Sequence, residues 1–299
     1  MKLRFWGVRG SLPSPGKNTI RYGGNTSSIE LRLANNELLI FDAGTGIRNL
    51  GDYLFKRGEL IKAHLLITHP HWDHIQGFPF FKPAFIPGNE LTILGTERPE
   101  KPLNEIISEQ MNRIYFPVQL NDLKAKINFL PVKSEMTFEI YGASIRTLYV
   151  HHPGFTVGYR LEYKNKTLVY ISDNEPFNPN LLYKFTNFEP SVLEAFRKDN
   201  NEPNKRIYDF CSGADVLIHD ATYTPEEYAE KQGWGHSDYL FALNIAERSN
   251  IKRLYLFHHD HTHNDNKVDY ILRRCRLEAR KRDLKLRIEA ASEGMKINI

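Results

Sequence analysis

Cysteine is nearly missing from this chain of 299 residues: only Cys211 and Cys275 occur, with no CxxC pairing. That scarcity excludes a disulfide framework and a thiolate zinc site. Long apolar runs are missing as well. None approaches the roughly 20 residues of a membrane span, so no membrane partner is expected. The opening Met1-Lys2-Leu3-Arg4-Phe5-Trp6 lacks the apolar stretch of a secretory signal and reads as a first strand, which makes the cytoplasm the expected compartment. Nor does charge of one sign dominate. A net charge of +4 suits an anionic substrate without marking a nucleic-acid binder. No repeat, low-complexity tract or Ser/Gly linker breaks the sequence, so a single domain over 1–299 is expected. A surface excursion rich in Asn and Pro is expected at about 176–206, with a helix in Ser191–Lys198. A lid and a homodimer contact are both open roles for it.

What the chain does have is histidine in a pattern. Thr68-His69-Pro70-His71-Trp72-Asp73-His74 packs three imidazoles and a carboxylate directly behind the apolar run Leu65-Leu66-Ile67. A buried strand ending in such a cluster delivers metal ligands to the rim of a sheet. One short turn can aim His69 and His71 at one ion while Asp73 and His74 face a second, and divalent first-row metals take imidazole nitrogen and carboxylate oxygen in this way.

Apolar alternation and turn residues predict further strands at 3–8, 28–33, 38–41, 91–94, 127–130, 136–140, 144–149, 157–163, 166–171, 216–218, 254–257, 284–290 and 295–297. Helices are expected after Gly46, over 103–115, from an N-cap at Ser237 to about Arg248, and in a last long helix. There Val268, Ile271, Leu272, Cys275 and Ala279 share one face, and the arginines of the other read as solvated. The Pro/Phe/Gly-rich stretch 77–90 should wall the site; Phe80, Phe81 and Phe85 there could stack on a base or simply pack. Strands cluster in two halves, each followed by helices, which suggests an α+β fold of two sheets packed face to face with helices outside. His69, His152, Asp173, Asp220 and His258 each stand at or just past the end of an apolar strand.

The HxHxDH string, followed by isolated His, Asp and His at strand ends, resembles the metallo-β-lactamase fold of metal-dependent hydrolases. That resemblance implies a four-layer αββα sandwich with two metals at one edge. Asp42 of Phe41-Asp42-Ala43-Gly44-Thr45-Gly46 matches the family's early aspartate, which hydrogen-bonds the metal loop. The later motifs resemble the ribonuclease Z and cyclic phosphodiesterase branch: His152-Pro153-Gly154, Ser172-Asp173-Asn174, His219-Asp220-Ala221-Thr222 and Gly235-His236-Ser237. Asp220 stands where the tRNA enzymes usually have Glu, and Asp238 where they have Thr.

The resemblance implies that His69, His71 and His152 hold one metal, that Asp73, His74 and His258 hold the other, and that Asp173 bridges them with a water. Two dications lower the pKa of a shared water enough to give hydroxide near neutral pH. Zinc is the first expectation for both ions, manganese or iron the alternatives. His236, oriented by Asp220, would stabilise the phosphorane or protonate the leaving oxygen, and Asp73 joins these two among the catalytic groups. His152 is preferred over His151 because its spacing to Gly158-Tyr159 fits that of the family it resembles. His258 is preferred over His259, His261 and His263 because it alone follows its strand directly. His64 and His219 read as structural.

The expected activity is hydrolysis of a small or cyclic phosphodiester, resembling a cyclic nucleotide. Alternatives are ribonuclease Z-like RNA 3′-end cleavage, with nucleic acid as partner; lactone, thioester or β-lactam hydrolysis; and an inactive metal-binding protein. Only 20 residues separate His152 from Asp173, too few for the tRNA-clasping arm of the long-armed ribonucleases.

Overall fold

The apolar runs that suggest strands pair into two sheets of seven in the computed structural model, which describes residues 1–98, 101–178, 202 and 204–299. The helix expected at 191–198, and most of the 176–206 excursion, lie outside the described residues. The chain divides into two compact units, Met1–Val132 with Ser292–Asn298, and Lys133–Ala291 with Ile299.

In the first unit the strands are β1 (Lys2–Gly7), β2 (Ser28–Arg32), β3 (Leu38–Phe41), β4 (Lys62–Leu66), β5 (Glu90–Thr96) and β6 (Lys126–Val132), with the last strand of the chain, β14 (Lys296–Asn298), beside β1. β14, β1, β2 and β3 pair antiparallel, and β3 to β6 run parallel. All four residues of β3 are buried, as a strand covered on both faces requires. The helix Gly46–Arg57 buries Ile47, Leu50, Gly51 and Leu54, a stripe at helical spacing, against a core that includes Leu65, Ile93, Phe78 and Phe81. Because β3 and β4 are parallel, with Phe41 opposite Leu66, Asp42 and the histidine string leave the sheet at the same edge.

That edge is packed backbone to backbone. Ala43 donates its N–H to His74 O at 2.7 Å and Gly77 to Ala43 O at 2.9 Å. A Cβ on Gly77 would overlap the carbonyl oxygen of Gly44. Gly77→Ala is therefore expected to lower stability by about 1–3 kcal/mol, the usual range for overpacking, read as a lower urea midpoint at unchanged slope.

The second unit holds β7 (Thr137–Ile140), β8 (Ala143–Tyr149), β9 (Val157–Tyr163), β10 (Lys166–Ile171), β11 (Val216–Asp220), β12 (Arg253–Phe257) and β13 (Arg287–Ala290), in that spatial order. β7 to β10 are antiparallel, and β10 to β13 are parallel. Helices Tyr239–Arg248 and Asp265–Lys281 cover the parallel strands, the latter through Val268, Ile271, Cys275 and Ala279. Leu272 is only partly buried. Arg276 of this helix bonds Ile288 O, and Arg282 at its C-cap bonds Glu278, Asn244 and Glu247, so part of the basic face is tied down rather than solvated. Since β8 runs the same way as β10, four chain segments leave this sheet at one edge: after β8, β10, β11 and β12. Three of them carry His152, Asp173 and His258, and Asp220 is the last residue of β11.

Three boundaries differ from the sequence reading. Helix 103–115 ends at Glu109, because the Asn112 side chain accepts from Ile114 N–H at 3.0 Å and turns the chain. The N-cap of Tyr239–Arg248 is Asp238, which accepts from Phe241 N–H at 2.9 Å; Ser237 is engaged with Asp220 instead. Strand β13 starts at Arg287, since Leu284 N–H still caps the preceding helix at Ala279 O. Among the described residues no helix is long and apolar enough to cross a membrane.

Candidate metal centre

In the first unit the site grows from one buried carboxylate. Asp42, fully buried and in the left-handed region at φ 57°, follows β3 directly. Its carboxylate accepts from Thr68 N–H at 2.8 Å and from Thr68 Oγ1 at 3.0 and 3.1 Å, and lies 2.9 Å from His74 Nδ1. A carboxylate so placed accepts the hydrogen of Nδ1–H, which puts the imidazole lone pair on Nε2. That atom faces Asp73 Oδ2 at 3.2 Å. Thr68 Oγ1, its hydrogen turned to Asp42, is 3.1 Å from His69 Nδ1, and His69 Nε2 is 2.9 Å from His71 Nδ1. Asp73 Oδ2 also accepts from Ser11 N–H at 2.8 Å.

The second unit repeats the device. Asp220, fully buried, accepts from Thr222 N–H and Oγ1 at 2.9 and 2.8 Å and from Asn174 N–H and Ser237 N–H at 3.2 Å. It lies 3.2 Å from His236 Nδ1, and Thr222 Oγ1 lies 3.2 Å from His258 Nδ1. In each unit, then, one aspartate orients one imidazole directly and a second through a threonine. His258, like Asp42, sits at φ 57° straight after a buried strand, a backbone strain typical of functional positions. His152 Nδ1 is 2.7 Å from Gly235 O. A carbonyl can only accept, so Nδ1 carries the hydrogen and Nε2 the lone pair.

These donor sets fit a metal. His152 Nε2, His258 Nε2 and His236 Nδ1 lie 3.8, 3.3 and 3.7 Å from Asp173 Oδ2, in a site where all four residues are buried. The Nε2 lone pairs of His152 and His258, oriented through their Nδ1 partners, face a buried carboxylate oxygen and repel it unless a cation lies among them. The same holds for His74 Nε2 and Asp73 Oδ2. Within the second unit the sets His152, Asp173, His236 and Asp220, His236, His258 each bring their donor atoms within 4.8 Å of one another.

The rivals fall elsewhere. His151 packs on Phe177, and burial pushes its imidazole down to about 4, so it is neutral. His259 Nε2 donates to Ala291 O at 2.8 Å, His263 Nε2 is 3.1 Å from Glu227, and His261 is exposed near Asp260. His219 Nδ1 donates to Asp220 O. His64 is half-buried rather than packed in the core, and burial lowers its pKa. Both cysteines are buried, their thiols pushed up to about 12 by burial, so neither offers a thiolate.

Sequence reasoning missed Glu175. Its buried carboxylate accepts from Gly233 N–H at 2.6 Å, Gly235 N–H at 2.8 Å and Tyr228 Oη at 3.1 Å. Burial raises its pKa, while the two backbone donors, Tyr228 and the nearby His236 oppose the rise. It fixes the glycine loop whose carbonyl holds His152. Gly235 takes φ 86°, and a Cβ there would overlap His152 Nδ1 and Pro153 Cδ. Gly235→Ala is expected to weaken metal binding by about 10–100-fold, the usual cost of losing a partner behind a ligand. Competition with a chromophoric chelator would check this, with far-UV circular dichroism unchanged.

Residues 38–259 match the family model for the beta-lactamase superfamily domain. Ribonuclease Z of Staphylococcus carnosus (strain TM300) is 24% identical over 301 residues, covering 91% of this chain and 92% of that protein. The metallo-β-lactamase fold protein YhfI from Bacillus subtilis superposes with a TM-score of 0.66 at 18% identity, covering 99% of each chain. Unliganded yeast PDE1 gives a TM-score of 0.67 at 17% identity, covering 100% of this chain and 99% of its own. The two structures share the α+β metallo-β-lactamase fold expected from the sequence. With its family model spanning most of its length, the chain belongs to the beta-lactamase superfamily domain family.

Proposed function

We propose that this protein is a dinuclear metal-dependent phosphodiesterase acting on a small or cyclic phosphodiester. The relatives named ribonuclease Z support metal-dependent hydrolysis of a phosphodiester. The carrying observation is the second unit's Asp173, approached by three imidazoles, one of which, His236, is also held by Asp220. In this reading His69, His71 and His152 would hold one ion and Asp73, His74 and His258 the other, with Asp173 as a further ligand. Zinc is the first candidate, and manganese or iron would suit the same donors. Bound there, such ions would supply Lewis acidity and an activated water.

The chain's own residues do the rest. Asp42 sets the tautomer of His74 and, through Thr68, of His69, and Asp220 through Thr222 sets that of His258, so that their Nε2 atoms are presented as lone pairs. Asp220 holds Nδ1–H of His236 and stabilises the imidazolium, which leaves Nε2 to pass a proton to the departing oxygen. Glu175 and Gly235 keep His152 in place.

A second reading, RNA 3′-end cleavage, is favoured by the ribonuclease Z relatives, which align over nearly the whole chain. Against it, the stretch between His152 and Asp173 is a tight hairpin of β9 and β10, turning at Lys164-Asn165 with φ of 48° and 61°. Metal-loaded protein should release nitrophenol from bis(p-nitrophenyl) phosphate and open a cyclic nucleotide, leaving pre-tRNA and a β-lactam intact. No turnover with zinc, manganese or iron would remove the proposal, and pre-tRNA cleavage would favour the second reading.

A further inference from the structure

The one-turn helix Trp72–Ile75 has two faces. Asp73 and His74 are buried in the metal loop, whereas Trp72, Ile75 and the following Gln76 line a groove of about 640 Å³. The groove lies wholly within the first unit, and Pro70, between the ligands His69 and His71, forms part of its wall. Its other walls are aromatic. Phe80 and Phe116 meet edge to face at 5.2 Å and 74°, and Tyr115 also lines the groove. Trp72 is 79% exposed, Tyr115 80% and Phe80 55%. Three large rings left bare around one concavity are costly in water unless something covers them.

The polar groups at the groove suit a ring with hydrogen-bonding edges. Gln110 lines it, and its amide nitrogen, buried, has no hydrogen-bond partner among the described residues. Glu109, also in the lining, is neutralised by Lys101. The volume lies within the range of small-ligand pockets, enough for a nucleobase and too small for a duplex.

We infer that this groove is a nucleobase subsite, which stacks the base of the phosphodiester beside the metal loop. The inference rests on the phosphodiesterase reading for its substrate, but its test does not. Calorimetry on metal-loaded protein would compare adenosine 5′-monophosphate with ribose 5-phosphate. Stacking on aromatic side chains predicts that the nucleotide binds about 10–100-fold more tightly. Phe80→Ala and Tyr115→Ala should each cut that ratio at least about threefold, and two separate variants guard against one that misfolds.

A ratio near one in the wild type, a ratio intact in both variants, or no binding of either compound would overturn the subsite. So would a wild-type dimer in sedimentation that Tyr115→Asp makes monomeric, since the groove would then belong to a second copy. If the base preference holds while no phosphodiester is cleaved, the subsite stands and the phosphodiesterase reading falls. If cleavage occurs without base preference, the reverse is true.

Discussion

Asp173→Asn is expected to cut turnover by at least about two powers of ten while leaving the metal-free protein as stable as before, or slightly more so. Three imidazole nitrogens lie within 3.8 Å of Asp173 Oδ2. Removing a buried carboxylate from its cation costs about 3–5 kcal/mol, or about two to nearly four powers of ten in affinity and in any rate that depends on it. In the absence of metal the sign changes. An amide can donate to an imidazole lone pair that a carboxylate oxygen only repels, so the substitution relieves the apo site. Thermal melts of wild type and variant, each with and without zinc, separate the two effects. Zinc should raise the melting temperature of the wild type and not that of Asp173→Asn. A variant that loses stability without metal would mean that Asp173 serves the fold and not an ion.

His236→Ala is expected to lower kcat by about 10²–10⁴, the usual contribution of a positioned general acid. The loss should depend on the leaving group. A nucleoside alkoxide needs a proton as it departs, whereas p-nitrophenolate does not, so the nitrophenyl diester should lose far less rate than a cyclic nucleotide. Stability should change little, because the imidazole bonds Asp220 at the rim of the cluster and is itself about one-tenth exposed. Asp220 is a different case: it accepts from Thr222, Asn174 and Ser237 N–H groups, so its removal strands several buried donors and weakens the fold. Equal losses of His236→Ala on both substrates would place this histidine outside proton transfer.

Much of this arrangement was legible in the residues. An apolar run that ends in His or Asp marks a strand edge, and the parallel pairing of β3 with β4 and of β10 with β11 and β12 turns that one-dimensional signal into a row of side chains. The HxHxDH string and Asp173 carry donor chemistry in their residue types, whereas the preference for His152 over His151 rested on the spacing of the family that the chain resembles. What escaped was whatever depends on contacts remote in sequence. Thr68 and Thr222 look like ordinary turn residues until their hydroxyls are seen between an aspartate and a histidine. Glu175 follows a motif but belongs to none; its partners Gly233 and Gly235 lie 58 and 60 positions away. A local signal was overlooked too: Thr224-Pro225-Glu226-Glu227 spells a capping box, and the helix Pro225–Glu230 begins there. Ser237 lost its expected capping role for a reason no local pattern contains, since Asp220 had already engaged it.

Asp42 and Asp220 play the same part, each within its own unit. Each buried carboxylate fixes two imidazoles, one through a hydroxyl, and so converts ambiguous rings into defined lone-pair donors. A scaffold that only needed to fold would have no reason to bury so many oriented acceptors facing one another.

Metal content measured by native mass spectrometry, on protein loaded with zinc and then dialysed, therefore tests the central claim most directly. Two ions per wild-type chain, and fewer than two in Asp173→Asn, are predicted. A wild-type chain that retains no ion, or an Asp173→Asn chain that retains both, would contradict it.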